Sequence, residues 1–172
     1  MIYILGGLLL AFTLAAVVYR RSQRRPEDSG RAISRDMLAG AAIFAFVGPA
    51  IGMLVIAVTI SIGARDPETL LFGLYGLPWA YLFGGVPALL CGMTAGALKP
   101  VAPSWLAILR MGVIGAAYAF VFLLTFGRDR SLASLGFPLF MGALPATVAG
   151  LVCARLLYGK PAGNRQPQSN PT

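Results

Sequence analysis

Five long apolar runs, separated by short charged segments, constrain this chain more than any other feature of its sequence. A helix needs roughly 20 mostly apolar residues to cross about 30 Å of hydrocarbon. Hydrophobic residues make up 58% of the chain and charged residues 12%, against about 45–50% and about 25% in soluble domains. The sequence therefore predicts an all-α membrane protein with five transmembrane helices, at Ile2 to Tyr19, Met37 to Gly63, Thr69 to Leu98, Trp105 to Phe126 and Leu135 to Tyr158.

Two of these runs need interpretation. The third is longer than one crossing requires and contains Pro78 and Pro87, so we expect Thr69 to Leu77 to form a separate interfacial or re-entrant piece. The first run resembles a signal peptide in its position. No Lys or Arg precedes it and no small-residue cleavage site is evident before Arg20, so we expect a retained first span.

The segments between the runs complete the expected organisation. Either Ser34 or Asp36 is the expected N-cap of the second helix. The tail is rich in Pro, Gly, Asn and Gln and has too little apolar surface to fold. The predicted units are a first span (1–19), an Arg-rich cytoplasmic linker (20–36), a helical hairpin (37–98), a cytoplasmic loop (99–104), a second hairpin (105–158) and a disordered cytoplasmic tail (159–172).

The distribution of Lys and Arg predicts the orientation. If the linker 20–36 is cytoplasmic, that side also receives Lys99, Arg110, Arg155, Lys160 and Arg165. The other side then holds only Arg65, Arg128 and Arg130. Because cytoplasmic loops carry an excess of basic residues, we expect the N-terminus outside and the C-terminus in the cytoplasm. The Ala-, Gly-, Leu- and Arg-rich composition is typical of a bacterial inner-membrane protein.

The net charge of +8 could indicate binding to nucleic acid or to anionic lipid, or only the orientation of the chain in the membrane. The arginines are explained by orientation, and no extramembrane module is large enough to bind nucleic acid, so we expect no nucleic-acid partner. Basic residues at a membrane surface can bind anionic lipid head groups; otherwise they are solvated topogenic residues or snorkelling anchors. The candidate lipid contacts are Arg20, Arg21, Arg24, Arg25, Arg110 and Arg155.

A weak internal repeat is the most informative local feature. The segment 84–92 (GGVPALLCG) aligns with 142–150 (GALPATVAG), matching Gly, Pro, Ala and Gly at identical spacing. The preceding loops contain the related tripeptides Ala64-Arg65-Asp66 and Gly127-Arg128-Asp129. The repeat predicts that the two hairpins are related by a parallel duplication about an axis normal to the membrane.

The repeat also places small residues on one face of each helix. Ala88, Gly92 and Gly96 are four residues apart, as are Ala146, Gly150 and Ala154. Such stripes allow helix backbones to approach closely in lipid. We therefore expect the third and fifth spans to pack on each other or on their hairpin partners.

Gly and Pro interruptions at corresponding positions of two halves are typical of transporter binding sites. A substrate site at Gly84, Pro87, Gly142 and Pro145 is therefore one hypothesis. The alternative is that these residues only kink and pack the helices, since Gly and Pro are common in membrane helices.

No residue set in the sequence predicts catalysis. The chain has no His, and its two cysteines, Cys91 and Cys153, form no CxxC pair. All six acidic residues fall in predicted loops or helix ends, and no nucleotide-binding motif is present. We expect no enzyme activity, no cofactor and no metal.

Two functional classes remain. The first is a structural or accessory protein that packs against itself, as a homo-oligomer, or against a larger membrane complex. The second is a small transporter or channel subunit with its site at the Gly/Pro interruptions.

The predicted orientation is tested by cysteine accessibility. A membrane-impermeant thiol reagent added to intact cells should label Ser131→Cys and leave Ser29→Cys unlabelled. Position 131 lies in the loop of the second hairpin, predicted outside the cell, and position 29 lies in the linker predicted in the cytoplasm. The reverse pattern would invert the orientation.

Overall fold

The computed structural model describes residues 2–23, 29–126 and 135–160. All regular structure in these ranges is helical. The predicted tail beyond residue 160 and the tripeptide at 127–129 lie outside the described residues. The elements are α1 (Ile2–Ser22), α2 (Gly30–Ala64), α3 (Thr69–Ala97), α4 (Trp105–Leu124), a short α5 (Gly136–Pro138), a π-helix (Leu139–Ala143) and α6 (Leu144–Tyr158).

Five helical segments in the described ranges are long and apolar enough to cross a membrane. The last of these, Gly136–Tyr158, joins α5, the π-helix and α6. At 35 and 29 residues, α2 and α3 are about 52 and 44 Å long at 1.5 Å per residue. Both exceed the thickness of the hydrocarbon core, which tilting accommodates.

Helices α1 and α2 extend into the segment 20–36, which was predicted as a cytoplasmic linker. Helix α1 continues to Ser22, and α2 begins at Gly30. The N-cap is Ser29, whose side chain accepts a hydrogen bond from the Ala32 backbone, so the expected cap at Ser34 or Asp36 was wrong. Sequence inspection placed the cap next to the apolar run, whereas the helix starts two turns earlier in its polar part.

Helix α3 is continuous from Thr69 to Ala97 and contains both Pro78 and Pro87. The expected separate piece at Thr69 to Leu77 was therefore wrong. Each Pro removes one backbone donor, but the remaining helical hydrogen bonds hold the segment together in an apolar environment. The two copies of the repeat differ here, because Pro145 follows a π-helix whereas Pro87 lies in regular α-helix.

Helices α2 and α3 pack with their backbones nearly in contact. A methyl group added at Gly92 would fall on the carbonyl oxygen of Gly40, and one added at Gly96 would fall on that of Asp36. The third stripe residue, Ala88, lies 3.6 Å from the position of a Cβ at Gly48. The stripe of α3 thus faces α2, its neighbour in the chain.

Helices α4 and α6 approach each other in the same way. A Cβ at Gly150 would lie 2.9 Å from the Met111 carbonyl oxygen, and a Cβ at Gly115 would lie 2.9 Å from that of Ala146. Ala154, the last residue of this stripe, is fully buried. The second stripe therefore faces α4.

Replacing Gly92 with Ala should destabilise the protein by about 1–3 kcal/mol, because the backbones of α2 and α3 must separate to admit the methyl group. The matched control is Gly85→Ala, since nothing lies within 4 Å of a Cβ there and Ala is the better helix former. The measurement is reversible unfolding in mixed micelles. Equal stability of the two variants would contradict the close approach.

Candidate functional site

A cavity of about 290 Å³ lies among four helices. Helices α2 and α3 contribute one part of the lining, and α4, the π-helix and α6 contribute the rest. All four residues predicted as a substrate site, Gly84, Pro87, Gly142 and Pro145, line it. The complete lining is Phe44, Gly48, Pro49, Gly52, Met53, Ile56, Ala80, Phe83, Gly84, Pro87, Ala88, Cys91, Gly115, Tyr118, Ala119, Phe122, Leu123, Met141, Gly142, Pro145, Ala146, Ala149 and Gly150.

The two copies of the repeat contribute equivalent positions to this cavity. Residues 58 apart in the sequence, and hence aligned in the repeat, line it as pairs. The structure therefore brings together two segments that are distant in the chain. The pairs are Gly84 with Gly142, Pro87 with Pro145, Ala88 with Ala146, and Cys91 with Ala149.

The cavity exists because most of its lining side chains are short. Fourteen of the 23 lining residues are Gly, Ala or Pro. Close-packed interiors fill such spaces with large side chains, which these positions do not supply. The π-helix adds a widened turn directly before α6, and π-helical turns are frequent at functional sites.

Exposure of the lining changes from one end of the cavity to the other. At one end, which we call the mouth, the lining residues are half-buried or exposed: Ile56, Phe83, Leu123 and Met141. At the other end, which we call the blind end, they are all buried: Phe44, Cys91, Gly115 and Gly150. On each of the four helices the lining residues at the blind end are more buried than those at the mouth, and we call this cavity the pouch.

Aromatic rings surround the mouth. The Phe83 ring packs edge-on against Phe126, with ring centroids 5.9 Å apart, and Phe126 packs in turn against Phe122 at 5.3 Å. Trp79 stacks on Phe83 with centroids 6.1 Å apart. Phe83 is 45% exposed and is the only lining residue classed as exposed. These rings therefore lie beside the mouth, on the side formed by α3 and the end of α4.

A cluster of three hydroxyl groups lies behind the blind end and joins α1 to α3 and α4. Tyr118 Oη is 2.7 Å from Thr13 Oγ1 and 2.8 Å from Thr94 Oγ1. The two threonines also reach the carbonyl oxygens of Leu9 and Leu90, each at 3.0 Å. Each hydroxyl has one proton to donate, and in every arrangement of these protons Tyr118 can donate to Thr13 or Thr94. Tyr118 is therefore satisfied without a ligand.

An ion cluster closes the end of the bundle where α1 and α3 end and α2 and α4 begin, which we call the basic end. The Asp36 carboxylate accepts hydrogen bonds from Arg20 and from Lys99, each at 3.0 Å. Arg20 also donates to the Gly96 carbonyl oxygen at 2.7 Å. The Arg20 side chain is only 7% exposed and binds protein groups, and its contact with anionic lipid stays a prediction.

The other candidate lipid contacts have separate environments. Arg21 and Arg110 are exposed. Arg155 lies over the Trp105 ring, 5.8 Å from its centroid, and donates to the Gly159 carbonyl oxygen. Arg24 and Arg25 lie outside the described residues. The structure brings none of the described exposed arginines to the pouch.

Sequence analysis missed the hydroxyl cluster and the role of Asp36. The available signal was the presence of Thr13 and Thr94 inside otherwise apolar runs, since a polar residue there needs a partner. Which partner each finds depends on helix arrangement. Among the described residues, no group of three or more His, Cys, Asp or Glu side chains could hold a metal ion.

No family model, curated protein or solved structure matches this chain. The proposals below therefore depend on the geometry of the chain itself.

Replacing Tyr118 with Phe should cost about 0.6–1.7 kcal/mol, the range for hydrogen bonds between membrane helices. The cost is limited because Thr13 and Thr94 keep the Leu9 and Leu90 carbonyl oxygens as acceptors. The measurement is reversible unfolding in mixed micelles, with Tyr75→Phe as control because Tyr75 is 80% exposed. A Tyr118→Phe cost no larger than the control would contradict the cluster.

Proposed function

We propose that this protein is a membrane-integrated binding protein that holds one apolar molecule, taken from the bilayer, in the pouch between its Gly/Pro segments. The observation that supports this proposal is the convergence of aligned Gly, Pro and Ala positions on a single cavity. The proposal corresponds to the second of the two functional classes above, a site-bearing subunit of a transport or carrier system.

The use of the small-residue stripes favours this class over a purely structural role. Gly92 and Gly96 are in contact with α2, and Gly150 is in contact with α4. These residues therefore pack the chain against itself and do not present their close-approach surface to a homo-oligomeric partner or a larger complex. A structural role would therefore need a surface other than these stripes for contact with a partner.

The chemistry of the lining decides the kind of ligand. No charged residue lines the pouch, and its polar side-chain atoms are limited to the Tyr118 hydroxyl and the Cys91 thiol. An ion would lose its hydration there without compensation, whereas an apolar molecule would gain contacts with the walls. An unfilled apolar void of this size costs on the order of several kcal/mol, so a bound apolar molecule would stabilise the fold.

We also propose that the halves containing 84–92 and 142–150 are a parallel duplication of a helical hairpin. The pairwise lining supports this, as does the packing of α3 on α2 and of α6 on α4.

For the orientation, we propose an inner-membrane location with the basic end in the cytoplasm. Among the described residues that end carries Arg21, Arg35, Lys99, Arg110 and Arg155, whereas the turn between α2 and α3 carries Arg65 together with Asp66 and Glu68. An excess of basic residues marks the cytoplasmic side. The pouch would then open toward the outer leaflet.

The pouch is tested with neighbouring glycines of α3. A Cβ at Gly84, inside the pouch, meets only Pro49 atoms at 3.9 Å, whereas a Cβ at Gly85, outside it, meets nothing within 4 Å. Gly84→Leu should fill the pouch and Gly85→Leu should leave it open. Native mass spectrometry of the protein extracted from membranes should find one apolar molecule per chain in wild type and in Gly85→Leu, with at least a fivefold lower occupancy in Gly84→Leu.

Equal occupancy in the two leucine variants, or no bound molecule on the wild type, would sink the proposal. The second result would favour a structural role.

A further inference from the structure

The geometry points to a specific ligand class: the pouch takes a single unbranched hydrocarbon chain, inserted with its methyl end toward Cys91 and its polar end outside the mouth. This inference rests on the proposed function, because it names the molecule that the pouch binds.

The dimensions of the pouch favour a chain over a ring system. Its lining on α3 runs from Ala80 to Cys91, about 17 Å along the helix at 1.5 Å per residue. A volume of about 290 Å³ spread over that length makes the pouch long relative to its volume. An elongated apolar space favours an extended chain, which gains wall contacts along its whole length, over a compact ring system.

The volume also sets the length of chain that fits. An apolar protein cavity of about 150 Å³ accommodates the six carbons of benzene. By proportion, this pouch of about 290 Å³ holds roughly 12 carbons. A longer chain would leave its remaining carbons outside the mouth.

The direction of insertion follows from the two ends. The blind end is closed by the buried residues Phe44 and Cys91, each 3% exposed, and the hydroxyl cluster behind it is already satisfied within the protein. A polar head group would find no unpaired partner there and would lose its hydration. At the mouth, Phe83 and Trp79 are exposed, so the head group can remain in the bilayer while the methyl end enters.

The test uses the purified full-length chain in a detergent with a steroid hydrophobic group, which by this inference is a poor fit for the pouch. Saturated fatty acids of 8, 10, 12, 14 and 16 carbons are added as an equimolar mixture, and bound masses are counted by native mass spectrometry. Occupancy should rise with chain length up to about 12 carbons and then level, with one chain per protein. A parallel arm with lysophospholipids of the same chain lengths shows whether the chain comes from a free acid or a lipid; binding in either arm with this length dependence supports the inference.

Two variants locate the chain. Gly84→Leu, at mid-pouch, should reduce occupancy at all lengths at least fivefold. Cys91→Leu, at the blind end, should retain binding but move the levelling point to shorter chains by about two carbons. If either variant fails to fold, the dependence of wild-type occupancy on fatty-acid chain length still tests the inference.

The outcomes separate this inference from the proposed function. If a rigid polycyclic hydrocarbon binds wild type as well as the fatty acids do, and is lost in Gly84→Leu, the pouch binds apolar molecules but the single-chain inference is overturned. Occupancy independent of chain length would overturn it as well. If neither kind of molecule binds wild type, the proposed function itself fails.

Discussion

The close approach of helix backbones at glycine is the constraint on which the rest of this structure depends. At Gly40 and Gly92, and again at Gly115 and Gly150, a Cβ would lie 2.9 Å or less from a backbone carbonyl oxygen of the neighbouring helix. In an apolar solvent, helices associate through such van der Waals contact and not through the hydrophobic effect. These contacts fix α2 against α3 and α4 against α6, and so define the walls between which the pouch lies.

The small residues that allow α2 to pack on α3, and α4 on α6, also leave space between these two helix pairs. Gly, Ala and Pro make up most of the pouch lining, and their side chains cannot fill the volume that the four helices enclose. Helix packing and the open space between the helix pairs are therefore two consequences of one compositional feature. The difference lies in position along the helix: Gly92 meets the backbone of α2, whereas Gly84 lines the pouch, where a Cβ would meet only Pro49 atoms at 3.9 Å.

Helix α1 and the ion cluster hold the opposite end of the bundle closed. Arg20 at the end of α1 bonds to Asp36 and to the Gly96 carbonyl oxygen, and Thr13 joins the hydroxyl cluster behind the blind end. The polar groups of the described core are thus satisfied by one another, with no buried side-chain nitrogen or oxygen left unpartnered there. This arrangement leaves the aromatic mouth as the end at which the pouch meets its surroundings.

The sequence by itself determined the number of long apolar helices, their approximate limits, the two stripes of small residues, and the Gly/Pro positions at equivalent places in two segments. These features follow from hydropathy and from residue size at helical spacing, which are local properties. The tertiary structure alone decided the continuity of α3 through Pro78 and Pro87, the engagement of Arg20 with Asp36, and the meeting of Thr13, Thr94 and Tyr118. Each of these depends on which helices lie side by side, and hydrogen-bond partners more than 60 residues apart, such as Arg20 and Gly96, leave no periodic signal in a single sequence. The meeting of the Gly/Pro positions at one apolar cavity depends on the same packing, because side-chain direction between helices is set by their crossing and not by the chain's own periodicity.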